Sequence, residues 1–164
     1  MLAGGTFASV RAADSSLIRN GSFEDGNLWK DWFVFSAGTS RDEFVKIVDL
    51  SEGGGSGVAI TGPQEKYLCQ DVKMKEGESG PHILRWKAKG TGGGRVGIMT
   101  WDLDRNISNL GFLKFWATND FELHEIRLTI PEDAVIARIT LAGQSEDSIV
   151  VFDKVELVPI ADSK

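Results

Sequence analysis

The sequence predicts an all-β fold, a two-sheet antiparallel sandwich or jelly roll, and three observations carry the prediction. Apolar and polar residues alternate along several segments, the pattern of strands with one face in a core and the other toward water. Clusters of Gly, Pro, Asp and Ser interrupt the alternation at intervals of roughly 8 to 15 residues, which suits about ten short strands. The composition agrees, since 19 glycines, nine Phe and five Trp supply turns and aromatic-rich strands.

In chain order, residues 1–14 read as a flexible N-terminal segment, or as the remnant of an export signal or of a cloning extension. They lack the charged start and long apolar stretch of a full secretory signal. The β domain is expected over residues 15–160. Its opening segment is Leu17-Ile18-Arg19-Asn20-Gly21-Ser22-Phe23-Glu24-Asp25-Gly26, followed by Trp29 and Trp32. The glycine runs at 53–55 and 92–94 neither open a helix nor carry the Lys-Ser/Thr pair of a phosphate loop, so they read as hairpin connections. Leu84, Trp86 and Ala88 alternate with Arg85, Lys87 and Lys89, which places Trp86 in the core. In 95–101, Val96 and Ile98 occupy one face and Met99 and Trp101 the other, so both faces of that strand carry apolar surface. Residues 102–106, Asp-Leu-Asp-Arg-Asn, begin like a calcium loop. Ile107 and Leu113 stand where the helical calcium motif needs Gly and Glu, so the stretch reads as a turn closed by Asx side chains. Residues 110–118 are the one stretch arguable as a helical turn. Ile126, Leu128 and Ile130 alternate with Arg127 and Thr129, and Ala137, Ile139 and Leu141 alternate with Arg138 and Thr140.

At 164 residues the chain suits one domain, and 41% hydrophobic residues suffice for a core without metal or disulfide. A formal net charge of −6 disfavours nucleic acid and anionic membrane as partners. No apolar run approaches the ~20 residues that span a bilayer, so no membrane insertion is expected. The single cysteine, Cys69, excludes an internal disulfide. Catalytic groupings are absent: Cys69 lies in an alternating strand, the two histidines His82 and His124 have no further Cys or His nearby, and the paired carboxylates lie in turns. The chain therefore reads as a protein that is not an enzyme.

Four segments together resemble a known family. They are Asn20-Gly21-Ser22-Phe23-Glu24, then Leu68-Cys69-Gln70-Asp71-Val72 with Gly77 before the aromatic strand at Trp86, then Ile130-Pro131-Glu132-Asp133-Ala134, and finally Phe152-Asp153-Lys154-Val155-Glu156-Leu157. Their order and spacing resemble the carbohydrate-binding modules of families 4, 9, 16 and 22, galactose-binding-domain-like jelly rolls. Phe121 stands where the family often has Trp, and His82 or Ile83 where it has Tyr. The resemblance implies a module that binds poly- or oligosaccharide and tethers a glycoside hydrolase, in the same or an associated chain, to its substrate. It implies a secreted, periplasmic or cell-surface location. It also implies a structural Ca2+ ion where the opening motif meets the final strand, held by Glu24 and Asp153, with Ser22 and Asp49 as further donors. A structural or adhesive jelly-roll domain without sugar affinity is the alternative.

A sugar site of this kind needs an aromatic platform for pyranose C–H groups and planar polar side chains for hydroxyls. Face parity offers Trp101 as the platform, Arg85 and Gln144 as hydrogen-bonding partners, and Trp116 or Tyr67 at the rim. The alternative is that residues 110–118 cover Trp101.

Overall fold

Ten strands make two five-stranded antiparallel sheets packed face to face, in a computed structural model that describes residues 16–35, 40–50, 55–62 and 65–160. The proposed N-terminal segment 1–14 and glycines 53 and 54 lie outside the described residues. The strands are β1 (Phe33–Phe35), β2 (Val45–Asp49), β3 (Ser56–Thr61), β4 (Tyr67–Lys73), β5 (Gly80–Thr91), β6 (Gly93–Trp101), β7 (Ile107–Trp116), β8 (Glu122–Ile130), β9 (Ile136–Gly143) and β10 (Ile149–Pro159). One sheet, here sheet A, has the order β1-β4-β9-β6-β7; the other, sheet B, has the order β2-β3-β10-β5-β8. A four-residue helix, α1 (Arg41–Phe44), and a single 3-10 turn at Leu28–Lys30 are the helical pieces among the described residues. Residues 110–118, arguable as helical from sequence, are mostly strand β7.

The core is built as the alternation predicts. Leu84, Trp86, Leu128 and Ile130 from sheet B meet Ile139, Leu141, Val96 and Ile98 from sheet A, and all are buried. Ile126 is half-buried at the edge of that cluster because β8 ends sheet B. Trp32, Phe23 and Phe152 are buried too, with the Phe23 and Trp32 rings 5.5 Å apart. Burying one large aromatic removes roughly 150 to 250 Å2 from water, so these rings dominate the apolar contribution to stability.

The glycine run at 92–94 departs from the hairpin expectation. β5 belongs to sheet B and β6 to sheet A, so Gly92, at φ 78°, turns the chain across the sandwich and does not join paired neighbours. The turn at 102–106 is as expected: it joins paired strands β6 and β7, and Asp102 accepts hydrogen bonds from the Asn106 backbone N–H and side-chain amide, both at 2.8 Å. Those bonds, the side-chain one first, hold the Asp102 carboxyl below the ordinary carboxylate range.

The opening motif docks on an irregularity in β10. The pairing of β10 with β5 shifts register between Asp153 and Glu156, and Lys154 there has φ 50°. Val155 N–H donates to the Gly21 carbonyl at 2.9 Å, and Leu17 N–H donates to the Leu157 carbonyl at 2.9 Å. Trp32 Nε1 donates to the Asn20 carbonyl, and Asp25 N–H donates to the Asn20 side chain. Gln70, fully buried, clasps Arg19 by accepting from its N–H and donating to its carbonyl, both at 2.8 Å. The motif is thus a backbone clamp that holds the first residues of the domain against β10 and β4.

Candidate functional site

Sheet A turns its outer face to solvent as a groove. The strand period places Tyr67, Cys69 and Asp71 of β4, Arg138 and Thr140 of β9, Arg95, Gly97, Met99 and Trp101 of β6, and Asn109 and Phe112 of β7 on that face. Phe33 and Phe35 of the short edge strand β1 join them, pairing across from Cys69 and Tyr67. A cavity of about 390 Å3 lies along this face, lined by most of these residues, with Trp101 toward one end and Arg95 toward the other. Gly97 forms part of its floor; a Cβ there would come within 2.9 Å of Thr140 Oγ1, so the missing side chain leaves the trough open.

Two arginines lie on aromatic rings in the groove. The Arg138 guanidinium sits 4.7 Å from the Trp101 ring and 5.0 Å from the Phe33 ring, and Asp71 grips it through two bonds of 2.6 and 2.8 Å. The bond to Asp71 keeps that guanidinium protonated beyond its ordinary range. Arg95 lies 4.7 Å over the Phe112 ring. Phe35 is 61% and Phe112 50% exposed, so both present apolar ring surface to solvent. Such a face offers flat apolar rings beside planar donors, the complement of a ligand with alternating C–H and hydroxyl surfaces.

Trp101 and Tyr67 both line the groove. β7 pairs beside β6 and does not pass over it, so residues 110–118 do not cover Trp101, which is half-buried by its contact with Arg138. Arg85 is not there. It points outward as its parity requires, but β5 belongs to sheet B, so it emerges on the opposite side of the molecule and pairs with Glu156 at 2.6 Å. Gln144 lies past the end of β9 over Gly93, with its Nε2 donating to the Gly94 carbonyl at 3.1 Å, eight residues along β6 from Trp101. It locks the strand end and does not line the groove. Trp116 shares the outer face but pairs with Gly93 at that same far end, 72% exposed and apart from the cavity. Arg138, outward by the alternation of β9, also lines the cavity, as do Phe35, Phe112, Arg95 and Asn109, which alternation alone does not bring together. The parity that placed Trp101 and Met99 outward also places Arg95 there; the aromatic partners come from other strands.

The residues expected at a metal separate into two groups. Glu24 Oε1 accepts from Ser56 N–H at 2.7 Å, and a Cβ on Gly55 would fall within 2.5 Å of the same oxygen, so glycine makes room for the carboxylate. Asp153 is 7% exposed; burial pushes its carboxyl above the ordinary range, bonding by Lys154 opposes this, and the negative charge of Glu24 adds to it. Asp49 does not join them: it ends β2 exposed, and among the described residues no three His, Cys, Asp or Glu side chains gather. Ser22 is exposed two residues before Glu24.

Cys69 and the histidines are apart from one another. His124 packs on the inner side against Trp86 and Phe115, with ring centroids 5.7 and 4.4 Å away, and its pKa is lowered by burial. Cys69 is 1% exposed in the groove floor, and burial pushes its thiol up to about 12. The native thiol therefore stays protonated, and a disulfide reagent at pH 8 is expected to react only as the domain unfolds. Rapid labelling of the native protein would contradict this. Because the native pKa is the higher one, the thiol's contribution to stability is present below pH 9.0 and is lost progressively toward pH 12.

No family profile and no curated protein matches the chain. Solved structures share its fold. An enzymatically active domain of tailspike protein 4 from bacteriophage CBA120 superposes at a TM-score of 0.68 with 17% identity, over 88% of this chain and 21% of the tailspike chain. A family 4 carbohydrate-binding module superposes at 0.60 with 19% identity, over 87% of this chain and 99% of the module. The family 22 module joined to the catalytic module of Clostridium thermocellum xylanase 10B, solved with xylohexaose, superposes at 0.66 with 14% identity, over 92% of this chain and 30% of that one. The chain thus spans about a fifth of the tailspike and nearly the full length of the single module. It has the jelly-roll fold of these carbohydrate-binding modules.

Proposed function

We propose that the outer groove of sheet A binds a poly- or oligosaccharide, and that the domain is a non-catalytic module that keeps a glycan-active enzyme on its polysaccharide. The observation that carries this reading is one groove lined by Trp101, Phe35 and Phe112 together with the planar side chains of Arg95, Arg138 and Asn109. Shared fold with sugar-binding modules supports it. Tethering raises the local concentration of substrate without adding a bond-breaking group. A polysaccharide partner places the domain outside the cytoplasm, and no helix among the described residues is long and apolar enough to cross a membrane.

A glycan array with the intact domain tests the reading. Binding to at least one glycan is expected, and failure across the array favours a structural or adhesive jelly roll. Trp101→Ala should weaken binding by ~1 to 3 kcal/mol, as for a buried aromatic anchor, with the far-UV circular dichroism unchanged. Unaltered affinity would remove Trp101 from the site.

We also propose a structural calcium ion at Glu24 and Asp153. Two neighbouring carboxylates, one of them buried and raised by that burial, fit a hard cation that takes six to eight oxygens, with the Ser22 and Asp153 carbonyls and water completing the set. The ion would supply charge neutralisation where the opening motif meets β10.

A further inference from the structure

We infer that the groove is built for an acidic glycan and that Arg95 reads the anionic group; the inference rests on the glycan-binding reading above. The chain carries a net charge of −6, yet the outer face of sheet A has the opposite sign. Among the described residues of that face the cations are Lys73, Arg95, Lys114 and Arg138, and the carboxylate is Asp71. Asp71 is consumed by Arg138, which it holds through both oxygens. That pair is neutral and fixed between two rings, so it shapes the groove without attracting an anion.

Arg95 is different. It pairs with no described carboxylate, and its guanidinium carbon lies 4.7 Å from the centre of the Phe112 ring. A planar fork matches a carboxylate through two parallel bonds and accepts a sulfate comparably. Directly across the strand pair stands Lys114. Like charges in direct cross-strand register destabilise a sheet, so the arrangement costs stability until an anion lies between them. Asp102 and Asp104 sit in the turn beyond Trp101 with Arg105, at the end away from Arg95. Six residues of β6, about 20 Å, separate Arg95 from Trp101. Lys73 stands level with Trp101, so both ends carry a cation. Arg95 with Lys114 is the cross-strand cation pair, and an acidic chain would be held with its anionic group there and a ring face on Trp101.

Binding of alginate and polygalacturonate, each beside its carboxyl-reduced counterpart, and of ι-carrageenan beside its desulfated form tests the inference. The acidic form of at least one pair is expected to bind about 10- to 100-fold more tightly than its neutral counterpart, the range of a hydrogen bond to a charged group. The preference should shrink as NaCl rises from about 50 to about 500 mM. A preference confined to the carrageenan pair would assign the anion as sulfate; one confined to the uronate pairs would assign it as carboxylate. Arg95→Gln should equalise the two members of the pair, while Arg127→Gln, an equal change in net charge on exposed β8, should leave the preference intact. Equal binding of neutral and acidic forms by the native protein would overturn the inference and leave the glycan reading standing. Loss of preference in both variants alike would reduce it to net charge and overturn it as well. Binding to none of these polymers and to no glycan on the array would overturn both.

Discussion

Gly21→Ala is expected to lower the stability of the domain by about 3 kcal/mol, at the upper end of the overpacking range. The added Cβ would sit 1.9 Å from the Val155 carbonyl oxygen and 3.2 Å from an Ile18 methyl. The obstacle is backbone, in the stretch of β10 where the register shifts, so it cannot swing aside as a side chain would. Relief requires the opening motif to lift away, which breaks the Val155-to-Gly21 hydrogen bond and loosens the Asn20 carbonyl that Trp32 caps. For a domain of this size the loss corresponds to a melting temperature lower by roughly 6 to 12 °C. Urea unfolding with tryptophan fluorescence reads it directly. Gly26→Ala is the control: Gly26 has φ 64° but no atom within 4 Å of its Cβ position, so only about 1 kcal/mol of backbone strain is expected. Equal effects of the two substitutions would mean that the clamp yields to the added Cβ and does not restrict Gly21.

Calcium at a hundredfold excess over its dissociation constant should stabilise the native protein by ~2.7 kcal/mol, and Asp153→Asn should abolish that response. The signs follow from burial. Burial raises the Asp153 carboxyl, so without metal its favourable contribution belongs to the protonated form; it is present below the ordinary carboxylate range and lost as pH rises. In chelator near neutral pH, Asp153→Asn is therefore expected to raise the melting temperature, because it removes a buried charge that also repels Glu24. With calcium the order reverses, since the native carboxylate gains a partner and the amide does not. Calorimetry of both proteins with chelator and with calcium gives four melting temperatures. A native value unchanged by verified metal removal would eliminate the ion.

The fold was legible in the sequence because period-two alternation is a local property. Each strand declares its inner face within a few residues, as Leu84, Trp86 and Ala88 do, and the buried positions followed. Which sheet a strand joins is set by pairing across distant parts of the chain. Arg85 and Arg95 look alike on parity, each outward beside apolar neighbours, yet β5 carries one to the back of the molecule while β6 carries the other into the groove. The same limit applies to Phe33 and Phe35, whose short strand gains meaning only by pairing beside Tyr67 and Cys69. Gln144 shares the correct face but lies past the strand end, where its amide serves the backbone. Parity fixes a side; distance along the strand decides whether a side chain reaches the groove. Asp49 stands across from Ser56, whose N–H Glu24 holds, yet it does not gather with Glu24 and Asp153 into one cluster, which alternation along β2 alone does not reveal.

The bond between Leu17 N–H and the Leu157 carbonyl also has an architectural consequence. The described chain enters and leaves the sandwich side by side, within one hydrogen bond of closure. Splicing such a domain into a surface loop of a host protein would require the loop ends to separate by little more than a strand spacing, so the host would forfeit little closure entropy. The jelly roll can then serve as a side branch as readily as a link in a linear string of domains, and the orientation of its grooved face need not depend on a flexible tether at all.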